Sequence, residues 1–354
     1  MNHLFFVLFL PLVLLAQQAD LHFIGQKALN ESQRVPPEQI EKELAEAEAQ
    51  YERALELFNP WYTGPLITPS ATMVPPGKAM WQPYLYLTDT YGAFNEDRER
   101  VHTPNAFTVQ AYPVLVQVGV TPSVDTTVIM STVANWKKDQ FSGGFNDTTL
   151  QIGFLIQKES IHVPKAKFVI GQSFPTGKYQ HLDPENIGLD ATGAGAWKTS
   201  FNLTFGKVIL WNTLHPMNTR ISMGYTIPTN VKVHNFNSYG GGYGTNGTVR
   251  PGNTFNVDMG LELSINQPWV VALDLVYNCT NRTKFSGNPG TTTPHGSIPA
   301  SNTSGYSDQF SLAPAVEYNF NDSMGLVAGA WFTVYGRNAS NFVSGIFSWY
   351  WVFP

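Results

Sequence analysis

The sequence predicts an all-β protein, a transmembrane antiparallel β-barrel of about 12 strands with an N-terminal periplasmic α-helix. Three observations carry this expectation. The first is strict alternation: in TFNVDMGLELSIN (254–266) the apolar Phe255, Val257, Met259, Leu261, Leu263 and Ile265 are separated by Asn256, Asp258, Gly260, Glu262 and Ser264. A period of two places one set on each face of a strand. A dozen residues is about twice a usual soluble strand and matches the roughly 9–11 that a tilted strand needs to cross a bilayer. The second is composition. Charged residues make up 13% of the 354, against about 25% in soluble domains, while aromatic residues reach 13% and glycines number 30. Mean hydropathy is only −0.14. The third is that the connections between predicted strands alternate between short and long, as in outer-membrane barrels with short periplasmic turns and long extracellular loops.

The elements follow in chain order. Residues 4–16, LFFVLFLPLVLLA, form an apolar core too short to span, and predict a signal peptide over 1–19 cleaved after Ala16 or Ala19. Residues 20–58 are then a periplasmic segment whose Ala-, Glu- and Leu-rich part, after Pro36-Pro37, predicts a helix over 38–58. Ile40, Leu44, Ala47, Tyr51 and Phe58 form its narrow apolar stripe. That stripe suits a partner helix, the barrel mouth or a second copy in a homo-oligomer, and a plainly solvated helix is the alternative. The stretch 59–77, NPWYTGPLITPSATMVPPG, holds five prolines and is neither helix nor strand. It is a linker, or a plug threaded into a lumen.

From 78 to 354 the pattern predicts strands near 78–88, 106–118, 124–134, 147–157, 165–174, 197–209, 218–227, 254–265, 269–279, 308–320, 324–335 and 343–353. GVTPS, ESIHVP, WNTLHPM, INQP and NFNDS are the short joins; 89–105, 135–146, 175–196, 228–253 and 280–307 are the long ones, and 336–342 is intermediate. Closure is expected because an unpaired strand edge in lipid leaves backbone groups with no partner. Trp81, Trp136, Trp197, Trp211, Trp269, Tyr277 and Trp331 fall near strand ends, where an interfacial girdle belongs. Phe347, Trp349, Trp351 and Phe353 alternate in the last strand, as in the C-terminal signal read by outer-membrane assembly machinery.

Two segments resemble a known family. VIGQSFPTGKYQHLDPENIGLDATGAGAWKTSFNLTFGKVI (169–209) and DQFSLAPAVEYNFNDSMGLVAGAWFTV (308–334) are similar to outer-membrane transporters associated with the meta-pathway of phenol degradation. The resemblance implies a substrate pore in the bacterial outer membrane and transfers no catalytic residue.

Facing assigns the candidate site. Asp258, Glu262, Asp274 and Glu317 fall on inward positions of predicted strands eight to ten, and Lys167, Lys198, Lys207 and Arg220 on strands five to seven. These would line the lumen as an acidic arc opposite a basic one and set selectivity, or fill a narrow lumen as structural ion pairs. Outside residues 1–58 acids and bases balance at 17 each, which gives no basic face for nucleic acid. Cys279 is the single cysteine, and the histidines show no metal-ligand spacing, so no metal or cofactor is expected. His295 and Ser297 lack an orienting acid nearby, which argues against a hydrolase. The expected partners are outer-membrane lipids and a small-molecule substrate, apolar, aromatic or of mixed polarity. The function expected is a passive outer-membrane channel; the alternative is an adhesive surface protein acting through loops 228–253 and 280–307.

Overall fold

The computed structural model describes residues 36–58, 61–186, 188–211 and 213–354. The expected signal peptide, 1–19, lies outside the described residues. The chain divides into two compact units, Met1–Leu57 and Phe58–Pro354. In the first, helix α1 spans Pro37–Phe58. Proline at its first position loses no hydrogen bond there, and Glu38 lies in the first turn, where a negative charge suits the helix dipole. Of the predicted stripe, Ile40 and Leu44 are about half exposed and Tyr51 is buried.

The second unit is a closed barrel of 12 antiparallel strands: β1 (Tyr84–Phe94), β2 (Arg100–Thr121), β3 (Val124–Lys137), β4 (Thr148–Gln157), β5 (Lys165–Phe174), β6 (Lys198–Ile209), β7 (Met217–Pro228), β8 (Thr254–Ser264), β9 (Trp269–Thr280), β10 (Ser307–Asn321), β11 (Met324–Arg337) and β12 (Ala339–Phe353). Each pairs with its sequence neighbour, and β12 closes the ring on β1. The short strand Ala79–Trp81 extends the seam, pairing with Phe353–Trp351 on one side and Val118–Val116 on the other. Following register partners once round the ring from Phe107 displaces the starting strand by about 16 residues, which for this strand number means a tilt of about 45°.

Alternation produces two chemically different faces. In β8 every even position from Asp258 to Ser264 is buried inside, while Phe255 is exposed outside. Exposed Val271, Val316, Leu326, Val343 and Phe347 continue the outer apolar band. Aromatic girdles flank it. At the short-turn end Trp269, Tyr318, Phe320 and Trp349 form a chain of ring contacts 4.7–5.7 Å between centroids; at the long-loop end Phe107, Trp136 and Phe141 form another, and Phe174 meets Trp197. The outer band with its two girdles is the surface a bilayer solvates. Trp331, expected in the girdle, instead points inward: its Nε1 donates to Ser311 Oγ at 2.8 Å and its ring meets Phe342. Its parity with inward Val327 and Thr333 requires this.

Differences from expectation sit at the loops. The predicted loop 89–105 is mostly strand, turning only at Asn95–Glu99, because Thr90–Phe94 and Arg100–His102 keep pairing above the girdle. Within 135–146, Gln140–Phe145 folds back onto β3. The join 336–342 shrinks to Asn338 at φ 46°. Loops 228–253 and 280–307 contribute a separate three-stranded sheet, Val231–His234, Asn246–Arg250 and Lys284–Asn288. Val231, Val233, Val249 and Ala196 form its core under Tyr179, Tyr239 and Phe285.

Candidate functional site

The lumen is occupied along one wall by the proline-rich stretch, residues 61–77. Prolines cannot donate to a ladder, and the remaining backbone N–H groups need acceptors once buried. The inward carboxylates supply them. Glu317 Oε2 accepts from Thr63 N at 2.9 Å and Gly64 N at 3.2 Å. Asp274 accepts from Ile67 N at 3.1 Å, Thr68 N at 2.9 Å and Thr68 Oγ1 at 2.5 Å. Asn319 accepts from Thr63 Oγ1 and donates to Trp61 O. Leu66 completes an apolar cluster with Ala272, Ala313, Ala315, Val327 and Ile346. Two wall glycines make the close approach feasible: a Cβ at Gly119 would stand 2.2 Å from Pro75 O, and one at Gly260 would stand 2.8 Å from Pro65 Cγ.

Of the acidic arc, Glu262, Asp274 and Glu317 are fully buried and Asp258 nearly so. The stretch covers Asp274 and Glu317 directly, and none of the four acids lines the cavity beside it. Glu262 takes Arg220 in a bidentate pair, Nε to Oε2 at 2.7 Å and Nη2 to Oε1 at 3.0 Å, with Asn218 Nδ2 donating at 2.7 Å. Such geometry is the strong form of a guanidinium–carboxylate contact. Glu317 lies against Glu262, and its Oε1 has no hydrogen-bond donor among the described residues. Asp258 accepts from Asn256 Nδ2 at 2.8 Å.

The basic arc does not stand opposite the acidic one as a set. Arg220, on β7, meets Glu262 on the adjacent β8. Lys167 points inward but pairs at 2.7 Å with Asp125 of β3, an acid not anticipated; Asp125 also accepts from Gln117. Lys198 lies at the long-loop end, 3.7 Å from Asp147 and a third exposed. Lys207 is corrected: it shares parity with Phe205 and pairs with Thr219, so it lies on the outer face, where its ammonium meets Glu159 at 3.7 Å and donates to Ser160 O. Its place in the sequence, two residues beyond outward Phe205, already carried that information.

Between the proline-rich stretch and the wall of β1–β7 lies a cavity of about 790 Å³. Tyr84, Tyr86 and Tyr112 line one side, Tyr84 stacked on Tyr86 and Tyr86 edge-on to Tyr112 with centroids 5.6–5.9 Å apart, joined by Leu115, Ile129 and Val169; Lys165, Lys167 and Arg220 line another. Lys165, which the sequence reading passed over, donates to Thr72 Oγ1 at 3.2 Å. His295 and Ser297 are both exposed on their loop, away from this cavity, and no group of metal-binding side chains occurs among the described residues.

Comparison by sequence finds no matching family model and no matching curated protein. Comparison by structure finds an outer membrane channel from Pseudomonas putida F1, 11% identical, with TM-score 0.58 over 80% of this chain and 98% of that one. The NanC porin (11% identity, TM-score 0.36, 75% and 98% covered) and a deletion mutant of the TodX monoaromatic hydrocarbon channel (10%, 0.34, 78% and 91%) superpose more loosely. At these identities the Pseudomonas channel bears on the fold alone, and the chain shares the architecture of outer-membrane barrels.

Proposed function

We propose that this protein is a passive outer-membrane channel for small molecules, narrowed by residues 61–77, which act as a fixed constriction. The observation that carries the reading is the cavity of about 790 Å³ left between that stretch and the wall. Its volume falls in the range of roughly 300–1,000 Å³ typical of small-molecule sites. A 12-stranded barrel lies between barrels filled by side chains and open 16-stranded pores, and here the filling covers one wall only. The apolar and tyrosine lining suits solutes with an apolar body. The resemblance of 169–209 and 308–334 to transporters of phenol degradation agrees with that class.

Planar-bilayer recording on purified protein tests the proposal. The full chain is expected to give small unitary currents, and deletion of 61–77 to raise them several-fold as the lumen opens. Absence of channels with and without the stretch would overturn the reading in favour of the adhesive alternative. The ordered sheet built by loops 228–253 and 280–307 is the one observation that favours that alternative.

A further inference from the structure

At the long-loop end, the sheet of Val231–His234, Asn246–Arg250 and Lys284–Asn288 has two unlike faces. On one, Val231, Val233 and Val249 are buried against Ala196 and Tyr179 of loop 175–196. That loop crosses the mouth to the far wall, where Asn135 of β3 donates to Leu189 O at 2.9 Å. The other face is polar and exposed, and the register gathers cations on it. Arg250 stands directly opposite Lys284; Lys232 stands opposite Thr248, one diagonal step from Arg250. All three cations are exposed. Like charges directly opposite on neighbouring strands repel, and loops 228–253 and 280–307, which supply the whole sheet, contain no Asp or Glu. In the loop packed beneath, Asp190 holds Lys178 at 2.6 Å, Asp183 accepts Glu185 N at 2.9 Å, and Glu185 lies beside Gln140, which donates to its carbonyl oxygen. Among the described residues Lys232, Arg250 and Lys284 thus have no acid as partner. The sheet begins just past the aromatic girdle. Thr229 N donates to Trp197 O at 2.9 Å, and only residues 251–253 separate Arg250 from β8 and 281–283 separate β9 from Lys284.

From this we infer that the exposed face of the sheet binds phosphate groups of lipopolysaccharide, the glycolipid of the outer leaflet, through Lys232, Arg250 and Lys284. A guanidinium takes a phosphate bidentately and an ammonium takes it as a point charge. One phosphate between Arg250 and Lys284 turns their repulsion into two attractions, and the Thr248 and Ser286 hydroxyls, in the row of Lys232, are further donors. Because loop 175–196 crosses the mouth, the face turned away from it looks out over the surrounding lipid. Interfacial tryptophans mark the headgroup level, so cations just beyond Trp197 stand where lipid phosphates lie. A soluble acidic glycan offers the same charge, but nothing would place its binding face at that depth.

The inference rests on the outer-membrane reading of the barrel. Full-length protein purified in detergent is titrated with deep-rough lipopolysaccharide, with the same glycolipid stripped of its phosphates, and with heparin, and bound molecules are counted by native mass spectrometry. The phosphorylated glycolipid is expected to bind, and more weakly as salt rises. Lys232→Ser, Arg250→Ser and Lys284→Ser should each weaken it roughly fivefold, the effect of one cation at an anionic surface, while Lys284→Arg should keep it. Lys284→Glu gives Arg250 an opposite charge across the ladder; it should lose the glycolipid yet make the loops more resistant to protease, which a purely structural role for Lys284 does not produce. Equal binding of the phosphate-stripped glycolipid, or undiminished binding by the serine variants, overturns the inference and leaves the barrel standing. Preference for heparin also overturns it and moves this face to the adhesive alternative. Recovery of the chain in the soluble or inner-membrane fraction of cells overturns the outer-membrane reading itself.

Discussion

Arg220 and Glu262 are buried together, and the energetics of such pairs are asymmetric. Removing one partner strands the other charge, a loss of about 3–5 kcal/mol, whereas replacing both with apolar groups of similar size is nearly neutral. Arg220→Ala is therefore expected to lower the unfolding midpoint in urea strongly, and Arg220→Met with Glu262→Leu to recover most of the loss. Equal destabilisation by the single and double variants would place the effect in packing instead. At this scale the sequence disclosed parity well. Asp258, Glu262, Asp274 and Glu317 all face inward as their alternation with Val, Leu and Met requires. It could not disclose partners. Asp125 falls in the predicted strand 124–134 beside Thr126 and Thr127, with nothing local to single it out, and only pairing of β3 with β4 and β4 with β5 brings it under Lys167.

The proline-rich stretch owes its position to acceptors and clearance supplied by remote residues. Thr63 and Glu317 are 254 positions apart, and Thr68 and Asp274 are 206 apart. Local pattern shows that residues 61–77 form neither helix nor strand, and leaves linker and lumenal segment equally open for that reason. The wall glycines provide a test at the level of the element. At Gly119, backbone atoms of Val74 and Pro75 leave no room for a side chain, and Gly77 N donates to its carbonyl oxygen at 3.0 Å. Gly119→Val should push the end of the stretch off the wall and raise single-channel conductance, while Gly345→Val, where the Cβ meets nothing within 4 Å, should leave it unchanged. Equal conductance in both variants would show that the contact at Gly119 does not constrain the passage.

For the whole molecule, lipid makes the barrel legible. Hydrocarbon outside and polar groups inside impose a period of two on every spanning strand, and closure follows because no edge can be left unpaired. All twelve strands are accordingly foreseen, most to within a few residues. The long-loop end answers to no such constraint: the sheet of Val231–His234, Asn246–Arg250 and Lys284–Asn288 is short, irregular and assembled from two loops, and no periodicity announces it. The central claim is that residues 61–77 lie inside the closed ring, and a disulfide tests it most directly. A Cβ placed on Gly206, on β6, would be 3.8 Å from Ala71 Cβ, within the roughly 3.5–4.5 Å that a disulfide spans. In a Cys279→Ser background, the variant carrying Ala71→Cys and Gly206→Cys is expected to oxidise during export and to show no free thiol by mass spectrometry after alkylation of detergent-purified protein. Two alkylated cysteines in folded, heat-modifiable protein would contradict the account.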